Sequence, residues 1–248
     1  TASKADNLFW LSRYTERVFT TLSQFFPFYD RVMDTDVDAF RPFARALDLP
    51  EDFEDFDAFI HSFLYDEKNP DSVRSAIVYA FNNAVILRPE LGSRSLQQVE
   101  LAMSSIVEAS EYGGMDADIF KHRDIADNML AFWGGVENSV EPTLKSFIFV
   151  GKYLERLDLY TRFGYSVEEL KAPLAKLGSY ILPLNGLPVP QCFAEGLRWL
   201  VGQLPQRGYA ELAEKLGMLL KDFDGRISTK DLKDLGMLNT MDMDAARL

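Results

Sequence analysis

"WLSRYTERV" (Trp10–Val18) and "FVGKYLERL" (Phe149–Leu157) write the same helix twice. Glu16 and Glu155 stand 139 residues apart, as do Arg17 and Arg156, and Tyr14 and Tyr153. The apolar pairs Trp10/Phe149, Leu11/Val150 and Val18/Leu157 keep the same offset, and a basic residue, Arg13 or Lys152, precedes each tyrosine. A solenoid repeats every 20–50 residues or so, so this spacing is not a solenoid period. It predicts two related halves whose Tyr-x-Glu-Arg helices pack together about an approximate two-fold.

Outward from the first copy, Leu8, Leu11, Tyr14, Val18 and Leu22 form one stripe at steps of three and four, the mark of an amphipathic helix. Pro27 should end or kink that helix near Phe26. Further on, Asn69 and Pro70 read as the cap and first residue of a helix with the stripe Val73, Ile77, Ala80, Ala84 and Leu87, stopped by Pro89. The pairs Gly113–Gly114 and Gly134–Gly135 read as the ends of the next two helices. The second copy predicts a helix from about Pro142 to Phe163, and three more helical segments follow. No segment alternates at a period of two with β-branched residues, so the fold class is all-α, a helical bundle. The 248 residues read as one domain. A main bundle covers 1–183, and C-terminal helices cover 184–248 after the proline-rich "PLNGLPVPQ".

Composition narrows the function. Hydrophobic residues make up 47% and aromatics 13%, a globular composition. The net charge of −12 argues against nucleic acid or an anionic membrane as partner, since both need clustered Lys and Arg. Cys192 is the only cysteine, which excludes a disulfide framework and a thiolate metal site. No run approaches the roughly 18 apolar residues of a membrane span, and no signal-peptide pattern is present, so the cytoplasm is the simplest compartment.

Two readings fit the motif itself. In one, the helices pack together and each glutamate meets a cation on a neighbour, an ion pair that specifies geometry. In the other, a polar seam binds a ligand, with arginine as an anion clamp. Both expect Glu16, Arg17, Glu155 and Arg156 to converge in one interior cluster, joined by Tyr14 or Tyr153.

"ADNLFWLSRYTERV" resembles the opening of the Alpha-E family (DUF403), on Asn7, Leu8, Trp10, Leu11, Arg13, Tyr14, Glu16 and Arg17. "NPDSVRSAIVYAFNNAVILR" is similar to the family's Asn-Pro-x-Ser segment on Asn69, Pro70, Ser72, Asn83, Ala84 and Arg88. "GKYLERLD" matches its second Glu-Arg stretch, with Lys152, Tyr153, Glu155 and Arg156 in place. Phe81, Asn82 and Val85 depart from it by replacing three charged residues, and Leu96 stands where a tryptophan is common. The resemblance implies association with circularly permuted ATP-grasp ligases, often alongside transglutaminase-like proteins, in sets that make or modify peptides through amide bonds. It implies a helical component that binds a peptide or a partner enzyme, with Arg13, Tyr14, Glu16, Arg17, Asn69, Ser72, Asn83, Arg88, Lys152, Tyr153, Glu155 and Arg156 as the candidate contacts. The alternative is an enzyme acting on an amide or aminoacyl substrate in a cleft between the repeats.

The remaining signals read as structural. His61 and His122, the only histidines, sit in no metal-ligand spacing, so no metal is expected. "LKDFDGRISTKDL" (220–232) resembles half a calcium loop, but Leu220 holds the first ligand position and Asp231 the last. A helix end followed by an Asp-Gly turn explains the same letters. No glycine-rich phosphate loop is present, so no cofactor is expected and ATP belongs to the partner.

Overall fold

A computed structural model describes residues 2–34, 37–112, 115–187, 190–222, 229–234 and 236–237. Among them every regular element is a helix. The chain divides into two compact units, Tyr14–Val140 in one and Thr1–Arg13 with Glu141–Leu248 in the other. The division falls inside the first motif helix and ahead of the second. The proline-rich connection expected to separate 1–183 from 184–248 lies within a unit.

Helix α1 runs from Ala2 to Asp34, straight through Pro27. Of the two outcomes expected of Pro27, an end or a kink near Phe26, the end does not occur, and aromatic packing supplies the reason. A mid-helix proline costs about 3 kcal/mol. Pro27 itself faces solvent, while Phe25, Phe28 and Tyr29 beside it are buried. Phe28 stacks on Phe43 at 4.7 Å, and Phe25 meets Phe63 at 5.3 Å. Each buried aromatic contributes roughly 1.5–3 kcal/mol, so several offset one lost helical turn. Phe43 lies on α2 (Phe40–Ala46) and Phe63 on α3 (Phe56–Leu64), which Asp55 caps through the Ala58 amide.

Helix α4 (Val73–Ile86) starts three residues later than the Asn69–Pro70 reading, with Ser72 as its cap. Asn69 instead closes the turn before it, accepting from the Asp71 amide at 3.0 Å and donating to the Ser62 carbonyl at 3.2 Å. The short α5 (Arg88–Leu91) leads through Gly92 into α6 (Ser93–Tyr112), which packs on α4 and on α7 (Met115–Ser139). Helix α7 continues through Gly134 and Gly135, which were expected to end it. A Cβ on Gly135 would lie 2.7 Å from Ser95 Oγ, so this glycine serves the close approach of α6 and α7. Gly113 and Gly114 lie outside the described residues.

The second motif helix, α8 (Pro142–Arg162), matches its expected span. Glu141 caps it through the amides of Thr143 and Leu144, and Pro142 opens its first turn. Helix α9 (Val167–Ile181) carries a capping box of Ser166 and Glu169 and packs along α8. Helices α10 (Gln191–Gln203) and α11 (Ala210–Asp222) form the next pair, and α12 (Thr229–Asp234) follows. The middle of the calcium-loop-like stretch, 223–228, lies outside the described residues. Among the described residues no helix is long and apolar enough to cross a membrane.

Candidate functional site

Within the unit that joins residues 1–13 to 141–248, the start of α1 packs on α8. Arg13 Nε donates to Glu155 Oε2 at 2.6 Å, and both residues are buried, Glu155 completely. The Arg13 guanidinium also lies near the rings of Phe9 and Trp10, at 5.7 and 5.4 Å from their centres. Gly151 makes the crossing close. A Cβ there would meet the Phe9 carbonyl oxygen at 2.7 Å and run into Ser12 Oγ. Ser12 and Gly151 are themselves 139 residues apart, so equivalent positions of the repeat meet at the crossing. The start of α1 therefore meets α8 at this crossing.

On the same helix Arg156 stands over the Tyr153 ring at 5.4 Å, half-buried. Lys152 is buried, with its ammonium 5.4 Å from the Phe149 ring and 5.3 Å from that of Tyr153. Tyr180 of α9 stacks on Phe149 at 4.6 Å.

One turn further on is a cluster that sequence reasoning missed. Asp158 Oδ1 accepts from Arg207 at 2.6 Å and from Arg162 Nε at 3.1 Å. Arg207 also donates to Thr161 Oγ1 at 3.1 Å. Both guanidiniums lie about one cation–π distance from Trp199, at 5.5 and 5.6 Å, and that ring is 43% exposed. Asp158 ends the quoted "GKYLERLD", but its partner Arg207 is 49 residues away, and nothing local announces it.

In the other unit, Thr20 Oγ1 donates to Glu16 Oε1 at 2.8 Å, and Glu16 is fully buried. Arg17 is half-buried and lies 5.7 Å over the Tyr14 ring, which meets Tyr79 of α4 at 5.3 Å. Asn83 donates to the Tyr79 carbonyl at 2.9 Å, so it belongs to the same stretch of α4. Three candidates do not join this group. Asn69 and Ser72 are used by the turn and cap of α4, and Arg88 reaches Ser93 Oγ at 3.4 Å at the start of α6. Glu16 and Arg17 belong to one unit and Glu155 and Arg156 to the other.

The other titratable side chains have local roles. His122 is buried, with Nε2 2.9 Å from the Tyr65 hydroxyl. Burial, followed by the neighbouring Asp6, pushes the Cys192 thiol up to about 12, which makes it inert as a nucleophile. Among the described residues no three His, Cys, Asp or Glu side chains gather as metal ligands.

Neither a curated protein nor a solved structure matches the chain. A family profile described as "a predicted alpha-helical domain with a conserved ER motif" does match, over residues 2–176, and that range holds both Glu16–Arg17 and Glu155–Arg156. The chain belongs to the Alpha-E family.

Proposed function

We propose that this protein is the helical component of an ATP-grasp-associated system that forms or modifies amide bonds in peptides, and that it binds a peptide or the ligase through its motif arginines. What supports the reading is a division of labour that recurs in both copies. The glutamates, Glu16 and Glu155, are wholly buried and held by hydrogen bonds. The arginines, Arg17 and Arg156, are half-exposed and laid on the tyrosine three residues before. A guanidinium carries five donors in a planar fork, so a half-exposed one braced on an aromatic ring can meet a carboxylate or phosphate alongside its neighbours within the protein. The net charge of −12 speaks against nucleic acid in that role. In this reading the ligase supplies the nucleotide chemistry, in the cytoplasm, and the helical chain supplies recognition.

The test is capture of a co-encoded ATP-grasp protein by the tagged chain, with the double variant Arg17→Ala/Arg156→Ala beside the parent. The expected result is a variant that melts close to the parent and no longer captures the ligase. Capture that survives the double substitution unchanged overturns the reading.

A further inference from the structure

An open cavity of ≈ 620 Å³ lies between the beginning of α6 and the end of α7, apart from the motif residues. Its lining includes Arg94, Ser95 and Gln98 of α6 and Gly134, Gly135 and Asn138 of α7. We propose that this cavity is a binding site for a small molecule that carries an oxyanion, a phosphate or a carboxylate, seated on the first turn of α6.

Three observations converge. Gly92 takes φ +80°, a conformation open to glycine, and so turns the chain from α5 into α6. Its carbonyl accepts the Leu96 amide at 3.3 Å, which leaves the amides of Ser93, Arg94 and Ser95 as the opening donors of a 20-residue helix. Such a terminus favours an anion by hydrogen bonding and by its dipole. Arg94 stands on the same turn, exposed, and adds a full positive charge. Second, Ser95 is 1% exposed, and its hydroxyl has no hydrogen-bond partner among the described residues. It is turned towards Gly135 on the cavity floor. A buried hydroxyl without a partner is costly, and a turn about its χ1 from Gly135 towards the cavity would give it a ligand oxygen as partner. Third, the α7 wall is bare. A Cβ built on Gly134 meets nothing within 4 Å, so the space above it is vacant. Glu90 stands on the α5 side, so the site takes one anionic group against α6, with a neutral polar body towards Gln98 and Asn138.

The experiment is calorimetric titration of the full chain with inorganic phosphate and, separately, with acetylglycine, at constant ionic strength. The parent is expected to bind at least one probe saturably in the millimolar range or tighter, and the stronger probe identifies the anion class. Arg94→Ala is expected to weaken binding about tenfold, the effect of one charge-assisted hydrogen bond. Gly134→Leu, whose Cβ meets nothing within 4 Å and whose side chain would occupy the vacant wall, is expected to abolish it. Ser95→Ala is expected to weaken binding while raising the melting temperature of the ligand-free protein. No saturable binding of either probe overturns the proposal. So does binding that Arg94→Ala and Gly134→Leu leave unchanged.

Discussion

After Val18 the first motif copy continues with Phe19, and after Leu157 the second continues with Asp158. The tetrads ahead of these positions are alike: a buried glutamate, a half-exposed arginine and an aromatic brace. The next residue sets them apart. Phe19 adds hydrocarbon to its surroundings, whereas Asp158 is 4% exposed and holds two guanidiniums, one from α8 itself and one from Arg207 beyond α10. The crossing position differs as well. Ser12 in the first copy faces Gly151 in the second, where the missing side chain lets α1 and α8 meet. The repeat therefore shares the residues proposed to recognise a partner and varies the residues beside them, at the crossing of α1 with α8 and at the Asp158 cluster.

That comparison can be broken at Asp158. Asp158→Ala leaves two guanidiniums facing each other without their carboxylate, and breaking a buried pair of this kind costs about 3 kcal/mol or more. Urea unfolding is expected to register that loss, and Phe19→Ala supplies the contrast as an ordinary truncation of a half-buried side chain. A smaller effect is expected from Gly151→Ala. The new methyl group meets the Phe9 carbonyl oxygen, which is backbone and cannot swing aside, and overpacking of this sort costs about 1–3 kcal/mol. Ser12→Gly in the same protein should recover part of it by freeing the Oγ contact, whereas no recovery would place the crossing elsewhere.

The smallest effect is one of pH. The carboxyl groups of Glu141 and Glu169 are held below their ordinary value, chiefly by backbone amides at the starts of α8 and α9. A depressed folded value means that the stabilisation is present above the unfolded value of about 4.3 and is lost as the pH falls through the folded one. The double variant Glu141→Gln/Glu169→Gln is expected to show a shallower loss of stability below about pH 4 than the parent. Parallel acid limbs would remove these caps from the account.

What the sequence made legible was periodic and local. The span of α8 could be read because Glu141, Pro142 and a stripe at steps of three and four all lie within it. Pro27 misled because the rings that stabilise α1 past it come from residues 40–63, which no local window contains. Gly134 and Gly135 looked like a helix end, since the need for a bare surface facing Ser95 is a tertiary fact. Asn69 was read as the cap because it precedes a proline, but its side chain is taken by the Asn69–Asp71 turn and Ser72 caps the helix instead. At the site, the tetrads were visible as a repeat, and the pairing of Glu155 with a cation was expected in kind. That the cation is Arg13 was not, because the residue 142 positions away is fixed by the helix crossing.

The central claim is that each motif glutamate is fully buried structure, whereas each motif arginine, half-buried on its tyrosine, is the residue proposed to recognise a partner. Its most direct test is the unfolding free energy of four single variants in urea. Glu16→Ala and Glu155→Ala are predicted to lose on the order of 3–5 kcal/mol, since each removes a fully buried, hydrogen-bonded carboxylate. Arg17→Ala and Arg156→Ala are predicted to lose clearly less than the glutamate variants, since each arginine is half-buried and keeps part of its hydration. Glutamate variants as stable as the parent, or arginine variants as unstable as the glutamate ones, would contradict the account.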